Sequence, residues 1–89
     1  MIRKRYQFTG KVQHVGFRWR ARKAANLFGC SGWCRNNRDG SVTMEIQGSR
    51  AKTELVILAI RTGQRIRIDH TEVTVLPLVP DEQGFRSEY

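Results

Sequence analysis

The sequence of 89 residues is poor in cysteine, proline and histidine, with two of each, and has only eight acidic side chains. It also lacks a long apolar run. The longest, Leu55 to Ile60, falls far short of the ~20 residues that cross a bilayer as a helix. The first ten residues contain Arg3, Lys4 and Arg5 but no apolar stretch of signal length. These features lead to the expectation of a soluble, cytoplasmic protein with no membrane association.

Cys30 and Cys34 are four positions apart. In a strand they would share a face at roughly 13 Å separation, taking about 3.3 Å per residue. A disulfide needs Cα atoms within about 7 Å, so the expected state is two reduced, buried thiols. A structural zinc site takes about four ligands, and His14 and His70 have no partner spacing. No metal or cofactor is expected.

The scarcity of acids is uneven. Residues 1–50 hold eleven Lys or Arg against two acids, a net of +9; residues 51–89 hold five against six, a net of −1. A basic first half fits an anionic ligand, either a small phosphate compound or a nucleic acid, and charge alone does not choose between them. The length fits one domain, residues 1–89, with two packed layers.

Residues 2–10 alternate, with Tyr6 and Phe8 on one side and basic or polar residues on the other, as in a strand with one wet face. A loop over residues 11–16 leads to a helix over 17–28, where Phe17, Ala21, Ala24 and Phe28 form one stripe. A strand is expected over 30–36. Asp39-Gly40 marks a hairpin turn, and Val42, Met44 and Ile46 alternate along the returning strand. Ser49 suits an N-cap for a helix over 50–62. Val56, Ala59 and Ile60 would face the core, which leaves Leu55 and Leu58 either on a rotated helix or exposed to a partner. Residues 65–79 read as extended, with an interruption at Asp69–Thr71 that fits a bulge. Residues 85–89 have room for a short edge strand. The order βαββαβ is that of the α+β ferredoxin-like sandwich, an antiparallel four-stranded sheet with both helices on one face.

Two segments carry candidate chemistry. At the junction of residues 10–18, GKVQHVGFR, a strand meets a helix N-terminus. The backbone N–H groups there have no intrahelical partner and can form a nest for phosphate. Gly16 lets an anion approach, and Arg18 in the first turn offers a planar fork of donors, although it reads equally well as an exposed helix arginine. In residues 32–42, GWCRNNRDGSV, Asn36 stands near a strand end. Its amide can hold a water by donating and accepting, or it can simply start the turn with Asn37.

Together these segments resemble the acylphosphatase family, whose motifs have the forms G-x-V-Q-G-V-x-F-R and G-W-V-x-N-x-x-D-G-x-V. The similarity spans nearly the whole chain in element order, with identities concentrated in residues 8–48. The resemblance implies hydrolysis of the carboxyl-phosphate bond of small acyl phosphates to a carboxylate and inorganic phosphate, without metal or cofactor. It implies that Arg18 binds phosphate, that Asn36 orients the attacking water, and that backbone N–H groups of Gln13, His14, Val15, Gly16 and Phe17 complete a cradle. A monomer is the default expectation for a chain like this, and nucleic acid is not the expected partner.

The sequence departs from the family pattern at three places. His14 stands where glycine is usual, which costs roughly 1 kcal/mol or more if that residue needs positive φ; Gly16 is available to absorb the difference. Cys34 replaces a valine of nearly the same shape. Ser87 stands where an apolar residue is usual and weakens the expected last strand, although Phe85 and Tyr89 are kept. Two competing readings are an inactive phosphate-binding homologue and a small basic nucleic-acid-binding module. The third strand, SVTMEIQ, lacks the aromatics with which RNA-binding sheets stack bases.

Overall fold

The computed structural model describes residues 1–88, so the part of the last-strand expectation that falls on Tyr89 lies outside the described residues. Seven elements follow one another: β1 (Ile2–Lys11), α1 (Phe17–Leu27), β2 (Ser31–Asn36), β3 (Val42–Gly48), α2 (Arg50–Arg61), β4 (Arg67–Leu76) and β5 (Phe85–Glu88). The sheet order is β4-β1-β3-β2-β5. All neighbours are antiparallel except β2 and β5, which run parallel. This is the ferredoxin-like arrangement with a fifth strand at the β2 edge. Ser87 does not prevent that strand: it pairs with Cys34, and buried Phe85 pairs with Gly32.

The alternation in β1 and β3 places Phe8, Val42, Met44 and Ile46 under the helices, each no more than 1% exposed. Phe8 packs on Phe17 at 5.2 Å between ring centroids and on Tyr6 at 5.4 Å. Truncating such a buried phenylalanine to alanine typically costs about 3–5 kcal/mol. The helical stripes contribute Phe17, Ala21, Ala24 and Ala25 from α1 and Thr53, Val56 and Ile60 from α2. Ser49 accepts a hydrogen bond from the Lys52 amide at 3.2 Å and caps α2. Helix α2 therefore sits in the register its period dictates, and Leu55 and Leu58 remain exposed.

Two expectations are corrected. The second face of β1 is not simply wet. Arg3 is 2% exposed; it donates to Glu45 (2.9 Å) and to Gln47 (3.2 Å) on β3 and to Glu82 (2.7 Å) in the segment between β4 and β5. That segment crosses the helix-free face at the Arg3 end, where Val79 exchanges hydrogen bonds with the Gln47 side chain. Second, β4 is shorter than residues 65–79. A turn closed by the Ile66 amide on the Gly63 carbonyl precedes it, and Pro77, which has no N–H to donate, follows it. The register shift opposite Thr9 and Gly10 skips Asp69, as a bulge does. Strand β4 lies at the sheet edge, and Val73 and Val75 are largely exposed.

Both cysteines are free and buried. Burial pushes the Cys34 thiol up to about 11, against smaller opposing effects from Ser87, Arg18 and Arg22.

Candidate active site

Residues 12–16 connect β1 to α1. Val12 is buried and anchors the start of this loop. The next residue, Gln13, turns its amide toward the β2–β3 hairpin and donates to the carbonyls of Asn37 (2.6 Å) and Ser41 (2.9 Å). His14 then takes φ 62° and Gly16 takes φ 81°. Gly16 therefore does not relieve His14: both residues are left-handed, and only the glycine is free of the Cβ penalty.

Gly16 is the N-cap of α1, and the amide of Arg20 closes the first helical turn on its carbonyl at 3.0 Å. Glycine has no side chain with which to cap, and the first turn contains no acidic residue. The amides of Phe17, Arg18 and Trp19 precede the first intrahelical bond and lack a helical acceptor. The positive end of the helix dipole is concentrated at the same place. An anion is the complementary occupant.

A cleft of about 180 Å³ opens here, lined by His14, Gly16, Phe17, Arg18, Trp19 and Asn36. Arg18 is half-buried, and its Nη1 donates to the Glu88 carbonyl of β5 at 3.2 Å, which steadies the guanidinium beside the cleft. Asn36 ends β2 and pairs with Val42 across the hairpin. Its side-chain amide makes no hydrogen bond among the described residues and is available to a water or substrate. The turn-forming role falls to Asn37, whose amide donates to Ser41 Oγ (3.0 Å) and Thr43 Oγ1 (2.8 Å).

Of the expected site residues, His14, Gly16, Phe17, Arg18 and Asn36 meet at this cleft. Gln13 braces the loop from outside it, and Val15 lines an adjoining, larger cleft. The Gln13 brace and the Glu88 tether are not visible in the sequence, because each joins segments distant along the chain. No three His, Cys, Asp or Glu side chains converge as a metal site among the described residues.

Comparison with known proteins is consistent with this geometry. The family model described as Acylphosphatase matches residues 4–87. An acylphosphatase from Koribacter versatilis is 38% identical over 86 residues, covering 96% of this chain and 78% of the relative. One from Bifidobacterium longum is 37% identical, covering 91% and 84%. The crystal structure of acylphosphatase from Bacillus subtilis superposes with a TM-score of 0.89 at 26% identity, covering all of both chains. A loop, a helix N-terminus, an arginine and an asparagine thus occur in a chain whose sequence and fold agree with one family along almost its entire length, and the chain belongs to the acylphosphatase family.

Proposed function

We propose that the cleft at the start of α1 hydrolyses small acyl phosphates by direct attack of water on phosphorus. Arg18 and the amides of residues 13–17 hold the phosphoryl oxygens. Asn36 accepts a hydrogen bond from the attacking water and aligns it opposite the leaving carboxylate. The bond from phosphorus to the acyl oxygen breaks, and its electron pair leaves with the carboxylate. The water proton passes to a phosphoryl oxygen, and the products are a carboxylate and inorganic phosphate. The leaving carboxylate is a weak base and needs no acid to protonate it. Positioning and electrostatics then supply the catalysis, and no metal or cofactor takes part.

The observation that carries this reading is the convergence of Arg18 and Asn36 on one small cleft beside an uncapped helix N-terminus. The reading includes a monomer that does not act on nucleic acid. On the helix-free sheet face, where bases would stack, Arg3 and Arg5 are already engaged by Glu45.

The test is hydrolysis of benzoyl phosphate by purified protein in EDTA, with Arg18→Ala and Asn36→Ala alongside and circular dichroism to establish folding. Turnover by the parent and its loss in both folded variants is expected. A folded parent without turnover would exclude the catalytic reading. It would favour a phosphate-binding homologue in which His14, at φ 62° in the loop, obstructs catalysis.

A further inference from the structure

A second cleft, of about 430 Å³, adjoins the first and shares Gly16 and Trp19 with it. Its remaining wall includes Val15, Arg20, Gln64 and Arg65. The two clefts adjoin at Gly16, where the space an added Cβ would take is open.

Among the described residues, no acid pairs with the cations of this cleft. Arg65 is exposed and has no hydrogen-bond or ion-pair partner among the described residues. Among the described residues the Arg20 guanidinium donates only to the Ala59 carbonyl, at 3.2 Å, and lies alongside Gly63. Neither has a carboxylate within ion-pair distance among the described residues. Arg3, Arg5, Arg67 and Arg86 are all matched by acids. Arg20 is not a second ligand for the phosphoryl group bound by Arg18. Two residues along a helix turn the side chain by roughly 200°, so Arg18 reaches β5 while Arg20 reaches α2.

We propose that this cleft is a second anion subsite and that the favoured substrates are acyl phosphates whose acyl part ends in a further carboxylate or phosphate, held by Arg20 and Arg65. This rests on the neighbouring cleft being the phosphoryl site. With the phosphoryl group at the helix N-terminus, the acyl chain crosses Gly16 along the Trp19 ring. The terminal anion then reaches two guanidiniums suited to paired hydrogen bonds with either oxyanion. A neutral acyl chain would leave both cations without a counter-charge.

The experiment compares adipoyl monophosphate with hexanoyl phosphate, which match in carbon number and differ in the terminal carboxylate. A third substrate, 6-phosphonohexanoyl phosphate, distinguishes a preference for a carboxylate from one for a phosphate-like end. The parent is expected to favour the chains with a second, terminal anion about tenfold in kcat/KM, through KM, as hydrogen bonds to charged groups allow. The preference should shrink with added salt. In Arg65→Ala, an exposed substitution that leaves the core intact, it should collapse toward unity. Equal kcat/KM for adipoyl and hexanoyl phosphate in the parent, or a preference unchanged in Arg65→Ala, would overturn the subsite.

If the parent turns over none of these, the catalytic reading fails separately. Calorimetry with 6-phosphonohexanoate and hexylphosphonate then decides the subsite. Tighter binding of the carboxylate-bearing phosphonate, lost in Arg65→Ala, supports it; equal affinity in the parent overturns it.

Discussion

The side-chain amide of Gln13 hydrogen-bonds to the carbonyl of Asn37 at 2.6 Å, and through it the loop before α1 is fastened to the hairpin that follows Asn36. The relative placement of Arg18 and Asn36 depends on this brace, since the two residues belong to different elements. Gln13→Ala removes both of its hydrogen bonds, at about 1–3 kcal/mol in stability. Turnover of benzoyl phosphate should fall about tenfold or more, because misplacing reacting groups by 1 Å can cost about a hundredfold. Unchanged activity in a destabilised variant would show that the loop holds its shape without the brace.

Arg18 and Asn36 should separate in steady-state kinetics. In the proposed mechanism, Arg18→Ala removes a donor to phosphate in both ground and transition states, so KM rises and kcat falls by about a hundredfold or more. Asn36→Ala acts on the water alone, so kcat falls by a comparable factor while KM stays near the parent value. A large rise in KM with unchanged kcat for Asn36→Ala would assign Asn36 to substrate binding instead.

His14 and Gly16 both have positive φ, at 62° and 81°, and substitutions there should act in opposite directions. His14→Gly relieves about 1–2 kcal/mol of left-handed strain and gives back about 0.4–1 kcal/mol in unfolded-chain entropy. Denaturant titration should therefore show a net gain of about 0.5–1 kcal/mol. Gly16→Ala should lose about 1 kcal/mol or more from the same strain, although the added methyl meets no atom within 4 Å. A stabilising Gly16→Ala would mean that the loop adopts another shape in solution.

Acid should weaken the protein partly through Glu82. Burial alone would raise this carboxyl, but hydrogen bonds from Arg3 and Ser31 and the nearby Arg3 charge outweigh it and hold it below the ordinary value. Folding thus favours the ionised form. The stabilisation is fully present above the unfolded pKa of about 4.3 and disappears as pH falls through the lower folded value. Glu82→Gln should cost about 1–3 kcal/mol at pH 7 and much less at pH 3. Equal losses at both pH values, in urea titrations, would remove Glu82 from the acid response.

Cys34 is fully buried, and with its thiol at about 11 it should resist alkylation in the native protein. At pH 8 only about one molecule in a thousand holds the thiolate, the reactive form. A thiol reagent should modify it quickly in denaturant and very slowly without. Cys34→Val should leave activity within about twofold of the parent and change stability by less than about 1.5 kcal/mol, as for other volume-conserving core exchanges. Rapid native modification would show that β2 opens locally.

The residues that organise the site locally could be read along the chain. The alternation of β1 and β3, the stripe of α1 and the Asp-Gly turn each arise from a period or a backbone preference acting over a few positions. The GKVQHVGFR and GWCRNNRDGSV segments placed Arg18 at a helix start and Asn36 at a strand end, where the structure has them. The same local reading misjudged Arg3 as wet. Its environment depends on a segment that arrives from elsewhere: residues between β4 and β5 cover Arg3. The parallel pairing of β5 with β2, the Gln13 brace and the meeting of Arg20 with Arg65 are decided in the same way. Sequence by itself determined the elements and which residues stand at their ends, because those follow from neighbouring residues. Only the tertiary structure decided which distant side chains share a cleft, because packing and strand order, rather than spacing along the chain, set those distances.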